Sequence, residues 1–309
     1  MTETTQTCPH CAVPINCDDA FCGECGAQLT KTRAPSSESE KAEQTDKYYA
    51  ALMLKGFSRY FLQQDDFSAI AEAKKMFGQA IECSPERPEA HLGLGLCHYI
   101  CGDDEAALPY IEQGLKNGFG VDERYESIRF EYVPDGGDPD DPDVFEMQLE
   151  TVIMHRAAIH LNLGDLDMAT RDMDGVFENI PEEYDAEKYA IRAEISLNSN
   201  SLDDARHYIE EALSRDQESA YSHTVNGQLF LEEGNAHAAI DALSRALFIE
   251  PMEPEALLIR AKAYFNLSKT NEMMSDIKEL RHIINEGYSD CNLEGELDEL
   301  VRESKKLHS

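Results

Sequence analysis

The chain has 309 residues, 42% of them hydrophobic, with 61 acidic side chains against 27 basic ones and a formal net charge of −34. That is enough apolar material for a sizeable core, in two ordinary domains or one extended repeat array. A field of this sign repels phosphate backbones and anionic lipid headgroups and favours basic or neutral partners, so nucleic acid and membrane surfaces are poor candidates. The same acidity suits solubility in a salt-rich or crowded cytoplasm. The opening stretch, MTETTQTCPH, has neither the basic flank nor the apolar run of a secretory signal, and no uninterrupted apolar segment approaches the ~18 residues of a membrane span. Nine cysteines, four of them in two tight pairs, suit a reducing compartment and a metal better than a disulfide framework, and a cytoplasmic location is expected.

In chain order the first expected element is a metal clasp over residues 1–30, in CPHCAVPINCDDAFCGECGAQL. Each Cys-x-x-Cys turn points two sulfurs at one point. Cys8 with Cys11 and Cys22 with Cys25 therefore supply the four thiolates of a tetrahedral zinc site. Gly23 and Gly26 let the backbone curl so that amides face the second pair. A module this small cannot bury enough surface to fold alone, so one structural zinc ion would supply most of its folding energy. Cys17 and His10 are the alternative ligands, and a dithiol switch that releases zinc on oxidation is the alternative role. With four protein ligands no open position remains for water or substrate, which makes the site structural. The phrase FCGECGAQL resembles the closing knuckle of small zinc-ribbon modules, which implies a contact module.

Residues 31–46, rich in Ser and Glu without a helical stripe, read as a flexible linker. From residue 47 a phrase recurs: a small residue, a turn residue seven later, an alanine five beyond that. It appears as Gly95, Gly102 and Ala107, then as Ala157, Gly164 and Ala169. It returns as Ala193, Asn200 and Ala205 and as Gly227, Gly234 and Ala239, and fades in Ala261, Ser268 and Met273. The turn residues at 164, 200, 234 and 268 are 36, 34 and 34 apart. Seven residues beyond each alanine position lies a small or apolar residue: Gly114, Val176, Ala212, Ala246 and Leu280. Each unit makes sense as two antiparallel helices: the small residue lets the second helix cross closely, and the turn residue ends the first. One hairpin cannot bury its apolar face alone, so neighbours must stack.

Phrases such as HLNLGDLDMAT and VNGQLFLEEGNAHAAIDALSRALFIEP resemble the tetratricopeptide repeat, over about residues 47–285. The resemblance implies an all-α fold, a right-handed solenoid of about six helical hairpins, with residues 286–309 forming a C-terminal cap around a polar helix at 293–307. The sequence contains no tryptophan, and the bulky residue that opens the repeat is replaced by His91, Ile153, Tyr189, His223 or Leu257. The period breaks once. Gly102 and Gly164 stand 62 apart, and the excess holds VDERYESIRFEYVPDGGDPDDPD, an acidic insertion at about 120–145. Its aspartates 135, 138, 140, 141 and 143 lack the D-x-D-x-D-G order of a calcium loop, so a solvated, mobile insertion is expected, with RFEYV packing back on the array.

The repeat's geometry also implies which side chains line the groove. Leu92, Leu96 and Tyr99 share one face of the nearly all-apolar helix EAHLGLGLCHYIC. From the later units come Met154, Leu161 and Asn162; Glu194, Leu197 and Asn198; and Tyr221, Gln228 and Leu231. Leu258, Lys262, Phe265 and Asn266 complete the set. Lys262 alone is cationic, so the basic clamp with which some tetratricopeptide domains hold acidic tails is missing. A neutral or basic segment with apolar anchors is the expected occupant, unless the insertion or the first unit covers the groove.

Catalytic readings are weak. His155 and His160, Glu182 and Glu183, and Ser201 to Asp204 all fit helix surfaces or an N-cap equally well. Cys97, Cys101 and His98 fit a buried helix face better than a metal site. No phosphate-cradling glycine loop or Gly-x-Ser-x-Gly elbow occurs. The expected function is a non-catalytic adaptor whose array holds one protein while the tethered ribbon touches a second. The competing reading is a zinc-ribbon factor associated with nucleic acid or the transcription or translation machinery, with the array as recruiter. Residues 1–46 hold eight acidic and three basic side chains, so that reading needs a protein contact to bring the ribbon to its target.

Overall fold

A computed structural model describes residues 6–7, 14–15, 38–62, 66–118, 127–132, 143–179, 186–288 and 290–307. Cys8, Cys11, Cys22 and Cys25, with Cys17 and His10, lie outside the described residues. So do the insertion's aspartates, except Asp143 at the start of a strand. Among the described residues there are thirteen helices and two short strand pairs. Strands β1 (Gln6–Thr7) and β2 (Pro14–Ile15) pair antiparallel, Gln6 opposite Ile15.

Helices α1 (Glu38–Leu62) and α2 (Phe67–Cys83) form the first hairpin, and α1 begins inside the stretch expected to be linker. Next come α3 (Pro88–Ile100) and α4 (Asp104–Gly118), then strands β3 (Ser127–Tyr132) and β4 (Asp143–Gln148). The remaining hairpins are α5 (Leu149–Asn162) with α6 (Leu166–Asn179), and α7 (Ala186–Asn198) with α8 (Leu202–Arg215). They are followed by α9 (Ala220–Glu232) with α10 (Ala236–Ile249), and α11 (Pro254–Asn266) with α12 (Thr270–Glu286). Helix α13 (Cys291–Leu307) is the last. Among the described residues the helices thus follow one another as six hairpins and a further helix.

The chain divides into two compact units. One comprises residues 1–97 and 112–147, the other residues 98–111 and 148–309. In the first, Phe77 of α2 decides the packing. A Cβ on Gly56 of α1 or on Gly93 of α3 would meet its ring at 2.6 and 2.7 Å, so only glycine admits the ring at both positions. Phe57 stacks edge-on to it, with ring centroids 4.8 Å apart. The insertion's flanks pair as strands β3 and β4, which was not foreseen, while β3, holding most of RFEYV, lies against α1, as that stretch was expected to pack back on the array.

In the second unit the recurring phrase has one structural meaning. Gly102, Gly164 and Gly234 adopt φ of 73°, 77° and 77°, and Asn200 and Ser268 adopt 58° and 57°. Each closes the same cap. Gly164 N–H donates to Leu161 O at 2.9 Å and Asp165 N–H to His160 O at 2.8 Å, a pattern repeated at 102, 200, 234 and 268. The small residues Ala157, Ala193 and Ala261 are buried, as are Ala169, Ala205, Ala239 and Met273 on the second helices. At Gly227 the closeness is required, because a Cβ would sit 2.4 Å from Leu243. Two hairpins carry an internal ion pair: Arg156 grips Asp172 at 2.8 and 2.6 Å, and Arg260 grips Asp276 at 2.8 and 2.7 Å, both aspartates being buried.

Candidate partner-binding face

In the second unit the first helices of successive hairpins lie side by side: α5 touches α7, α7 touches α9 and α9 touches α11. The side chains they leave beyond the core make up the strip where a partner was expected. Met154, Leu161, Leu197 and Leu258, expected on that strip, are instead buried, and Met154 and Leu161 belong to a cluster with Ala169, Met173 and Ile191. Leu92 and Leu96, in the first unit, are buried as well, Leu92 filling the space that Gly114 leaves. The reason is geometric. A first helix packs on its own second helix and on the neighbouring first helices, so its large aliphatic side chains are consumed by those contacts. The strip keeps the polar and aromatic ones, with Leu231 as an aliphatic exception. Tyr99, Glu194, Tyr221, Gln228, Leu231, Lys262 and Phe265 are half-buried, while Asn162, Asn198 and Asn266 are exposed.

Among these, Tyr99, Glu194 and Tyr221 act as a group. The Tyr221 hydroxyl donates to the Glu194 carboxylate. The Tyr99 ring stands edge-on to His155 at 5.5 Å. Burial raises the Tyr99 phenol well above its ordinary value, and Glu187, Asp104, Glu194 and Glu255 push it further. Glu194 is raised by burial and by Glu255, against the hydrogen bond from Tyr221. Glu253, at the start of α11, is raised by burial and then by Glu255 and Glu250. Asp104, 6% exposed, is pushed up to about 7 by burial, with Asp290, Glu255 and Asp103 adding to the shift and a hydrogen bond from Asn162 opposing it. The face is therefore an acid–tyrosine surface, and its carboxylates repel one another.

A segment not foreseen in this role lies against it. The Tyr288 hydroxyl donates to Glu255 Oε1 at 2.7 Å, and the Asn292 side chain donates to Asn162 O at 3.0 Å. Glu296 on α13 accepts from Lys262 Nζ, so the one cation expected in the groove is already ion-paired. Tyr288 and Asp290 pack so closely on Gly102 that a Cβ there would meet them at 2.8 and 3.1 Å. Leu293, Leu297, Leu300 and Ser304 form the buried stripe of α13. Asp104, Glu253, Glu255, Tyr288 and Asp290 are the residues of this face that sequence reasoning missed. Glu255 had a signal: PEA recurs at Pro88–Glu89–Ala90 and Pro254–Glu255–Ala256, and Glu89 accepts from Tyr49 at 3.1 Å as Glu255 does from Tyr288.

Some of the weaker catalytic and metal candidates lie among the described residues, and His160 is buried with its Nε2 unpartnered. Ser201 precedes α8 and donates to Asp204 at 2.7 Å, and His155 Nδ1 contacts Thr151 O at 2.7 Å. Cys97 and Cys101 are buried, and His98 pairs with Asp103 at 2.9 Å. Glu182 and Glu183 lie outside the described residues. No group of three or more His, Cys, Asp or Glu among the described residues is arranged to hold a metal ion. No helix among them is long and apolar enough to cross a membrane.

Residues 58–118, 192–251 and 224–270 match the family model described as tetratricopeptide repeat. No curated protein matches the chain significantly. Solved structures similar to it include the APC/C hetero-tetramer Cut9–Hcn1, at 13% identity over 86% of this chain and 50% of that one, TM-score 0.50. The human IFIT1 dimer with m7Gppp-AAAA matches at 15% identity over 69% of this chain and 45% of that one, TM-score 0.50. A thermophilic tetratricopeptide protein of Thermus thermophilus matches at 18% identity over 69% of this chain and 98% of that one, TM-score 0.49. Over the matched residues the chain carries tetratricopeptide repeats, in paired helices. Proteins built of these repeats commonly act in protein–protein interaction.

Proposed function

We propose that this chain is a non-catalytic protein–protein interaction scaffold. The face built from Tyr99 at the end of α3 and from α5, α7, α9 and α11 holds a neutral or basic segment of a partner protein. The N-terminal module, with one structural zinc ion on Cys8, Cys11, Cys22 and Cys25, is the second docking element. The observation that supports the scaffold reading is the Tyr99–Glu194–Tyr221 group. It spends aromatic area and a half-buried carboxylate on the strip between hairpins, where core packing asks for neither. Tyr99, Tyr221, Leu231 and Phe265 supply apolar anchoring, and the acidic surroundings speed the approach of basic segments and reject acidic ones. The zinc reading is carried by the spacing of the four cysteines.

The test is capture of partner proteins by the full chain, identified by mass spectrometry, against Tyr99→Ala and Phe265→Ala. Loss of the same partner with both variants, at unchanged melting temperature, supports the face. Unchanged capture with both moves the binding site elsewhere. Elemental analysis of the purified protein should give one zinc per chain, lost in the Cys22→Ser/Cys25→Ser double variant. Absence of zinc from the unaltered protein removes the metal from the proposal.

A further inference from the structure

Asp104 is the first residue of α4, and the residue is 6% exposed, with its Oδ1 buried. Its Oδ1 has no hydrogen-bond partner, and its one side-chain donor is Asn162. The charges that act on it most strongly are all negative: Asp290 ahead of α13, Glu255 on α11 and Asp103 in the turn before α4. Nearby donors are committed elsewhere. The Tyr288 hydroxyl serves Glu255, the Tyr221 hydroxyl serves Glu194, the Asn292 side chain serves Asn162 O, and His98 serves Asp103. A buried carboxylate oxygen without a donor is costly, and like charges gathered around it raise the cost. What would settle the group is a cation with several N–H donors.

We propose that Asp104 is the receptor for a basic side chain of the partner segment, with Glu255 and Asp290 sharing its charge. This rests on reading the α5–α11 strip as the partner-binding face. A metal ion does not fit the same place, because the carboxylates do not converge as ligands. The guanidinium of an arginine fits it best: a planar fork of five donors reaches acceptors that stand apart, and it is less strongly hydrated than an ammonium. The contact of Asp290 with this cluster is between like charges, which makes it the easiest part of the cover for an incoming cation to displace. Capture also acquires a pH dependence. Asp104 titrates near 7, among Asp290, Glu255, Asp103 and Asn162, and it must be ionised to hold the cation. Binding therefore strengthens as pH rises through about 7.

The experiment pans a random peptide library on the full chain and on Asp104→Asn, which alters the net charge of −34 by a single unit. A selected arginine peptide is then compared with its citrulline counterpart, nearly the same shape without the charge, by calorimetry at a pH above 7. The expected result on the unaltered protein is roughly tenfold or more weaker binding of the citrulline peptide, with most of that preference lost in Asp104→Asn. Glu255→Gln, which keeps an acceptor for Tyr288, should lose part of it and provides a second variant should Asp104→Asn fold poorly. An arginine preference of equal size on all three proteins, or none on any, overturns the Asp104 site and leaves the face standing as a peptide binder. Failure of every protein to select peptides overturns the face as well.

Discussion

Ser268 and Asn200 hold left-handed backbone that Gly102, Gly164 and Gly234 hold elsewhere at the same point of the repeat. Asn tolerates that region and Ser does so less readily. Ser268→Gly should therefore stabilise the protein by roughly 0.5–1 kcal/mol, and Asn200→Gly by less, read from denaturant midpoints. The glycines themselves are not equivalent. Gly164→Ala meets open space and carries only the cost of its φ, about 1 kcal/mol, whereas Gly102→Ala also collides with Tyr288 and Asp290. Gly102→Ala should cost clearly more in melting temperature, and equal losses would show that the Tyr288 contact is not made in solution. These turn positions were legible in the sequence because each needs a small residue at a fixed distance from an alanine contact. Asp104 was not legible. It sits at a helix start where aspartate is ordinary, and only tertiary contact shows that burial and Asp290 surround it.

At the scale of the element, hairpins α5–α6 and α11–α12 are closed by the same device, an arginine forked onto a buried aspartate sixteen residues later. Removing the cation alone strands a buried carboxylate. Arg260→Met should cost about 3 kcal/mol or more, while Arg260→Met with Asp276→Leu should return most of that loss. Equal unfolding free energies for the single and double variants would contradict the coupling. Helix pairing was readable from the period because stacking demands small residues where helices cross. The strands β3 and β4 were within reach too: SIRFEY alternates apolar and polar residues, but the charge of the acidic loop beside it masks so short a pattern. The aliphatic groove residues were misplaced for another reason. Helical spacing tells which residues share a face but not how wide a strip of that face the neighbouring hairpins consume, and Met154 and Leu258 fell within the consumed part.

For the molecule as a whole, acidity is the governing quantity, and several carboxylates share its cost. Asp104, Glu194, Glu253 and Asp290 are all displaced upward, each by burial first. The sign follows from proton counting: with raised native values the folded state binds more protons than the unfolded one, so stability falls as pH rises through that range. For Asp104 the window runs from its ordinary 3.8 to about 7. Thermal unfolding should thus occur at higher temperature near the lower end of that window than above 7, and Asp104→Asn should flatten the difference. A melting temperature that climbs with pH across the window would refute this ordering. The tie between Asn292 and Asn162, 130 residues apart, has a mechanical consequence. In a stack whose hairpins touch only their neighbours, tension on the last hairpin peels the array one layer at a time. Here tension on the C-terminal end reaches the tips of α3 and α5 through Tyr288 and Asn292 while α11 and α12 are still in place. Pulling on α13 must therefore part Tyr288 from Glu255 and Asn292 from Asn162 before α12 or α11 bears the load.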